Sequence, residues 1–248
     1  MSKSKGNIVD PNEMLETNGA DTTRLFTLFA APPERDLDWN DKAVEGAYRF
    51  LARLWRMGQD LSGTLPTLPA CAPLPAGELS ETAAALRRKE HLTVQKVSAD
   101  MEEKFQFNTA IAAVMELVNE ISAARESLLA SETDRHALGS ALATTLTLLA
   151  PMTPHLCEEL WQRLGHTTPL AQTGWPTYDP DALRQDEVQI VVQVNGKLRG
   201  KIAVATDAAK ETIQEAALAH ENVQHHISGK EIKKVIVVPG KLVNVVAA

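Results

Sequence analysis

The chain begins Met1, Ser2, Lys3, Ser4, Lys5 and runs directly into Gly6-Asn7. Two mobile ammonium groups beside hydroxyls and a glycine suit the holding of a polyphosphate, the cations neutralising charge and the hydroxyls donating hydrogen bonds. A loop that grips phosphate needs rigid structure on both sides, and here only the downstream side follows. A second set of cations alternates near the other end, at Lys197, Arg199 and Lys201, with Lys233, Lys234 and Lys241 beyond. The 248 residues carry a net charge of −7, which argues against blanket nucleic-acid binding. Residues 186–248, however, hold eight Lys/Arg against seven Asp/Glu, so the tail is the better place to meet an anion.

Other reactive residue types read more plainly. His155 and Cys157 lie two apart on a helical stretch, hence on different faces, and no second pair completes a metal site. His220, His225 and His226 read as a solvated cluster, and Glu102-Glu103 and Glu158-Glu159 as solvated helix faces. Cys71 and Cys157 are expected to be free thiols. No Gly-rich nucleotide loop, Ser/His/Asp arrangement or catalytic carboxylate pair stands out, and no metal is expected.

The elements that must carry these residues fall into two patterns. Asp10 as N-cap with Pro11 at the first position starts a short helix that Asn18-Gly19 stops; Asp21 starts a second, which Pro32-Pro33 ends. Asn40 or Asp41 opens a longer helix to about Leu61, with Val44, Ala47, Leu51, Leu54 and Trp55 at helical spacing. Residues 62–77 hold four prolines and read as an extended surface connection. Further helices fit Ser80 onward (Leu86, Val94, Val97, Met101, Phe105), the stretch after Phe107, Asp134 to Ala150, and Pro154 to Leu164. Residues 40–165 thus predict an antiparallel helical bundle.

From Val188 the period changes to strands, and Asn195-Gly196 marks a hairpin. A two-residue loop would place cations on the apolar face of Ile190, Val192 and Val194. An odd-length loop with Gly196 left-handed at a bulge puts Leu198, Gly200 and Ile202 there, leaving Lys197, Arg199 and Lys201 together on the wet face. The odd loop is the expectation. One helix (207–220) and a strand pair turning at Pro239-Gly240 complete a ββαββ tail. The expected fold is therefore mainly an α-helical bundle followed by a small α+β domain.

"MSKS" with "KGNIVDPNEMLETNGADTTRLF" resembles the Lys-Met-Ser-Lys-Ser signature loop of class I aminoacyl-tRNA synthetases and the helix pair after it, without the signature's first lysine. "FNTAIAAVMELVNEI" and "APMTPHLCEELW" resemble the tRNA-binding bundle of the subgroup that handles leucine, isoleucine, valine and methionine. "VVQVNGKLRGKI" with "IKKVIVVPGKLVNVV" is similar to the C-terminal domain of the bacterial leucyl branch. The resemblance implies three regions: 1–35, the signature loop and the end of a catalytic domain; 36–182, the helical anticodon-binding bundle; and 186–248, a C-terminal tRNA-binding domain.

It further implies a ligase that joins leucine to its tRNA through a leucyl-adenylate, with ATP and Mg2+ as its cofactors. Met1, Ser2, Lys3 and Ser4 would then form the ATP-binding loop, with Lys3 the catalytic residue that stabilises charge on departing pyrophosphate. The expected partner is the tRNA for leucine, met by Lys197, Arg199, Lys201, Lys233, Lys234 and Lys241, the last three as reinforcements. Without the nucleotide-binding core the isolated chain is expected to be inactive. No stretch is long and apolar enough for a membrane span, and a cytoplasmic protein is expected. The competing reading is a free-standing RNA-binding or protein-interaction module.

Overall fold

The structure, a computed structural model, describes residues 11–32, 34–35, 40–75, 77–102, 104–184, 187–205, 208–238 and 241–247, with the side chains of 11 and 187–189 left aside. The signature stretch, Met1 to Ser4 with Lys3, lies outside the described residues, as do Asp10, Pro33 and the turn at 239–240. Two units divide the chain, Met1–Leu183 and Arg184–Ala248.

In the first unit α1 (Pro11–Asn18) gives way at Gly19, whose φ of 80° favours glycine, and α2 (Ala20–Ala30) follows at once. Gly19, not Asp21, is the N-cap of α2; Asp21 is turned to another helix, as described below. Asn40 caps α3 (Asp41–Leu61) as expected, its side chain accepting from the backbone N–H of Lys42 and Ala43. Ser80 starts α4 (Glu81–Glu102) with its hydroxyl on Ala83 N, and α5 (Phe107–Leu128) runs back against it. Phe105, expected in the apolar stripe, is instead 59% exposed, because α4 has already ended and Phe105 takes φ 50° in the connecting turn. Ser131, not Asp134, caps α6 (Glu132–Leu149), freeing the Asp134 carboxylate to accept from Ser80 N. Finally α7 (Pro154–Arg163) has proline in its first turn, where no intrahelical N–H is needed.

Helix α6 is the buried centre, covered from Ala137 to Leu149, and Leu25, Phe26, Leu54, Ile111, Leu117, Ile121 and Leu160 close the core around it. The proline-rich connection is no helix, yet it is more than a surface strap. Ala72 is buried, Ala72 N donates to Ser140, Cys71 N to Thr144, and Pro66 lies against Gly139, where a Cβ would meet Leu68 and the Pro66 carbonyl at 3.2–3.3 Å.

The second unit is a four-stranded sheet in the order β2-β1-β4-β3, built from β1 (Glu187–Val194), β2 (Lys197–Ala205), β3 (Ile232–Val238) and β4 (Leu242–Ala247). The β1/β2 and β3/β4 pairs are antiparallel and β1/β4 is parallel. Between the hairpins lie two helices, α8 (Lys210–Ala219) and α9 (Glu221–Ile227), where one was expected. Val223 and Ile227, four apart, are buried with Ile213 and Ala217 against Ile190, Val192, Ile202, Val204, Val243 and Val245.

The hairpin departs from the expected loop. Asn195 and Gly196, at φ 50° and 77°, form a two-residue turn that pairs Val194 with Lys197. The extra residue falls one step later, inside β2: Gln193 pairs with Leu198 and Val192 with Gly200, which leaves Arg199 as the bulge. The bulge returns Gly200 and Ile202 to the inner face, as the apolar pattern demands, but Leu198 stays outside at 59% exposure. Lys197, Arg199 and Lys201 therefore do not share one face.

Candidate nucleic-acid interface

Register places the cations of the second unit individually. Lys201 pairs with Val191 and alternates with buried Ile202, so it stands on the outer face. Lys234, opposite Val246, occupies the same face on the other edge strand, three strand spacings across and four residues along, roughly 20 Å away. Between these edges lie Val191, Gln193, Asn244, Leu242 and the exposed Leu198, Ile236 and Val238. Lys197 is exposed at the turn, Lys233 is the extra residue of a second bulge, and Lys241 is exposed just before β4. Arg199 is set apart: it is half-buried, and its carbonyl accepts from Asn222 Nδ2 near α9.

Asn195 does more than turn the chain. Its side-chain amide exchanges two hydrogen bonds with Ala247 (2.8 and 3.0 Å), and Gly196 N donates to Asn244 Oδ1. The hairpin tip is thereby stitched to β4, which fixes where Lys197 and Lys234 stand.

A second cationic face, which the sequence reading passed over, lies on α3. Opposite its buried row of Val44, Leu51 and Leu54 it exposes Lys42, Arg49, Arg53 and Arg56. Arg49, Arg53 and Arg56 sit four and three residues apart, hence along one face over roughly 10 Å. Arg49 pairs with Glu45 at the surface, and Arg53 lies over the Phe50 ring. Tyr48 is 53% exposed beside them, and a cleft of about 540 Å³ lined by Tyr48, Trp55, Arg56 and His155 opens there. The signal was available: arginines at helical spacing on the face opposite the apolar stripe.

The two helices that follow the signature stretch are tied to the bundle by α2. Arg24 donates to the carbonyls of Pro151 (2.8 Å) and Met152 (3.1 Å), closing the α6–α7 turn. Asp21 accepts from Leu156 N at 2.7 Å and lies 2.9 Å from His155 Nδ1. A carboxylate there satisfies a free N–H of the first turn of α7 and the positive end of its dipole. Glu158, read as solvated, accepts from Leu170 N and so also has a structural task. Cys157 is buried with its thiol pushed up to about 12 by desolvation, and burial raises Cys71 to about 12 as well, so neither is a reactive nucleophile. Among the described residues no group of three His, Cys, Asp or Glu is placed to hold a metal ion, and no helix could cross a membrane.

Residues 84–214 match the family described as the anticodon-binding domain of tRNA ligase, and residues 1–40 match the class I tRNA synthetases for isoleucine, leucine, methionine and valine. Leucine–tRNA ligases of Oleidesulfovibrio alaskensis and Geobacter sp. strain M21 are 54% and 51% identical to the chain over all of its length, which spans 30% of theirs. The chain also superposes over its full length, at a TM-score of 0.82 and 29% identity, on 31% of the LeuRS of Agrobacterium radiobacter K84 agnB2 in its ternary complex with tRNA and LeuAMS. With the anticodon-binding model matching more than half of it and homology running along all of it, this chain belongs to the anticodon-binding family of class I tRNA ligases and corresponds to the C-terminal part of a leucyl-tRNA synthetase.

Proposed function

We propose that this chain is the tRNA-holding part of an enzyme that ligates leucine to its tRNA with ATP in the cytoplasm. The observation that carries this reading is the similarity of the whole 248-residue chain to leucine–tRNA ligases, of whose length it spans 30%. In this reading two surfaces approach the nucleic acid. The α3 face offers Lys42, Arg49, Arg53 and Arg56 to phosphates, with the exposed Tyr48 ring as a stacking surface. The sheet unit offers Lys201 and Lys234 on its outer face, with Lys197, Lys233 and Lys241 at the strand ends.

Each cation neutralises a phosphate by itself, since the bulge prevents a continuous row. Lys3, with Met1, Ser2 and Ser4, serves the ATP end of the reaction, its ammonium stabilising the charge that develops on pyrophosphate. Mg2+ would come with the ATP, and among the described residues no group of three His, Cys, Asp or Glu is placed to hold it.

The joint made by Asp21 and Arg24 gives the bundle a mechanical role. Helices following the ATP loop are bonded to the turn between α6 and α7, so the tRNA-facing bundle and the loop's downstream support move as one body.

The test is binding of a labelled leucine tRNA transcript to the 248-residue chain over a salt series, with the variant Arg49→Gln/Arg53→Gln/Arg56→Gln beside it. The variant should bind more weakly and its log-log salt slope should be shallower by about 2 to 3. An unchanged slope in a folded variant would remove α3 from the interface. Failure of the parent chain to prefer any tRNA over a single-stranded control would favour a general interaction module.

A further inference from the structure

Arg199 is the most costly cation of the second unit. It is half-buried, and among the described residues its solvent-shielded Nε has no hydrogen-bond partner and it forms no salt bridge. Burying part of a guanidinium unpaired is unfavourable, and a bulge residue on a sheet edge could have pointed outward instead. What stands around it is more positive charge. His226 on α9 feels the fields of Arg199, His225 and Lys230, and burial together with these three holds its imidazole below the ordinary value. Lys230 is fixed there by a hydrogen bond from its ammonium to the His226 carbonyl at 3.0 Å, and the His225 ring lies 5.5 Å from that of His226.

The floor of the cluster is built to let a ring in. Gly200, next to Arg199, carries the His220 imidazole directly above it: a Cβ there would come within 2.6–2.9 Å of three ring atoms. His220 Nδ1 is a second buried polar atom without a hydrogen-bond partner among the described residues. Of the elements packed on α9, β2 contributes Arg199 and β1 presents the apolar Ile190 and Val192, and among the described residues the charges felt at His226 are those of Arg199, His225 and Lys230. Glu221 stands at the opposite end of the short helix.

We propose that Arg199, His226 and Lys230 form an anion site on the helix side of the C-terminal sheet that takes a phosphate group, and that binding is coupled to protonation of His226. An oxyanion of this size accepts from a guanidinium in fork geometry, satisfies the stranded Nε, and turns the mutual repulsion of the cluster into attraction. It also raises the imidazole's affinity for a proton, so the site takes up a proton as it fills. The site faces away from Lys201 and Lys234 and is therefore a separate contact from the outer face. Its extension to a polynucleotide backbone rests on the tRNA-binding reading above; its affinity for free phosphate does not.

The test uses the whole 248-residue chain. The seven histidines are followed by NMR through a pH titration, with His226 assigned from the spectrum of His226→Gln. Titrations are run alone, with inorganic phosphate, and with the leucine tRNA transcript. Phosphate should raise the His226 titration midpoint, and between the free and the phosphate-bound midpoints its affinity should fall by up to about tenfold per pH unit more steeply in the parent chain than in His226→Gln. Arg199→Gln should abolish the shift, with circular dichroism confirming that the variant is folded.

A shift with both phosphate and tRNA identifies a backbone phosphate as the ligand. A shift with phosphate alone, whether or not tRNA binds elsewhere on the chain, identifies a free-phosphate site. If neither moves His226, the anion site is overturned, and tRNA binding detected in the same samples would leave the proposed function standing.

Discussion

Glu90 should make the first unit lose stability as pH rises, and replacing it by glutamine should remove that loss. Its side chain is fully buried in α4, where Oε1 accepts from Thr144 (2.6 Å), Ser140 (2.8 Å) and Cys71 N (3.3 Å) while Oε2 has no partner among the described residues. Burial raises its pKa above the ordinary 4.5, and the hydrogen bonds from Thr144 and Ser140 and the charge of Arg87 offset that only in part. The folded pKa lies above the unfolded one, so the carboxyl's contribution is fully present below pH 4.5 and is lost as pH rises toward the folded value.

In that window the folded state holds a proton the unfolded chain has released, and stability falls by about 1.4 kcal/mol per pH unit. His91 acts in the opposite sense. Desolvation, aided by Arg87, lowers it to about 4, and its Nδ1 accepts from Asp179 N, so between about 4 and 6.5 it adds stability as pH rises. The wild-type curve alone would hide both effects below pH 6.5; the difference between wild type and Glu90→Gln cancels His91 and isolates Glu90.

Glutamine keeps the acceptor for the same three donors and puts an N–H where the protonated acid has its O–H. The two proteins should therefore match near pH 4.5, to within about 1 kcal/mol, and diverge in favour of the variant as pH rises from there toward the raised folded pKa of Glu90. Urea unfolding followed by tryptophan fluorescence suits the measurement, because all four tryptophans, at 39, 55, 161 and 175, fall in the first unit. A difference flat to within about 0.5 kcal/mol across that range would refute the argument, since it would mean that the buried carboxyl ionises as freely in the fold as in the unfolded chain.

Asp21→Ala strips the N-terminal turn of α7 of its carboxylate and should cost about 1 to 2 kcal/mol in the same assay. Gly200→Ala forces the His220 ring off the strand; unfolding of the sheet unit, read by NMR, should lose about 1 to 3 kcal/mol, and an unperturbed His220 resonance would contradict the contact. Lys201→Ala and Lys234→Ala should each reduce the salt slope of tRNA binding by about 1 and should add without coupling, because they stand at opposite edges of the sheet. In the full enzyme Lys3→Ala should slow leucyl-adenylate formation by about 10²- to 10³-fold with a smaller effect on tRNA affinity, and a loss confined to tRNA binding would reassign the residue.

What the sequence alone determined was local: caps, periods and turns. Asn40 and Ser80 start their helices because each has an oxygen that reaches the free N–H groups of the next turn, whatever lies beyond. Asn195-Gly196 turns the hairpin because both positions tolerate positive φ, and the alternation of Ile190, Val192, Ile202 and Val204 names the buried face. Even Glu90 had left a trace, standing between Leu86 and Val94 in the apolar row of α4.

The tertiary structure decided where local signals compete or partners come from afar. Ser131 and Asp134 are both good caps, and the choice fell to Ser131 because Asp134 is needed by Ser80, 54 residues away. Asp21 reads as the start of its own helix but is claimed by α7, 135 residues downstream. Most consequentially for function, one extra residue had to be absorbed somewhere in the second hairpin strand for its apolar side chains to reach the core. Its position at Arg199 rather than in the loop scattered three alternate cations to different surroundings, a choice made by packing under α8 and α9 that no pattern within the strand could reveal.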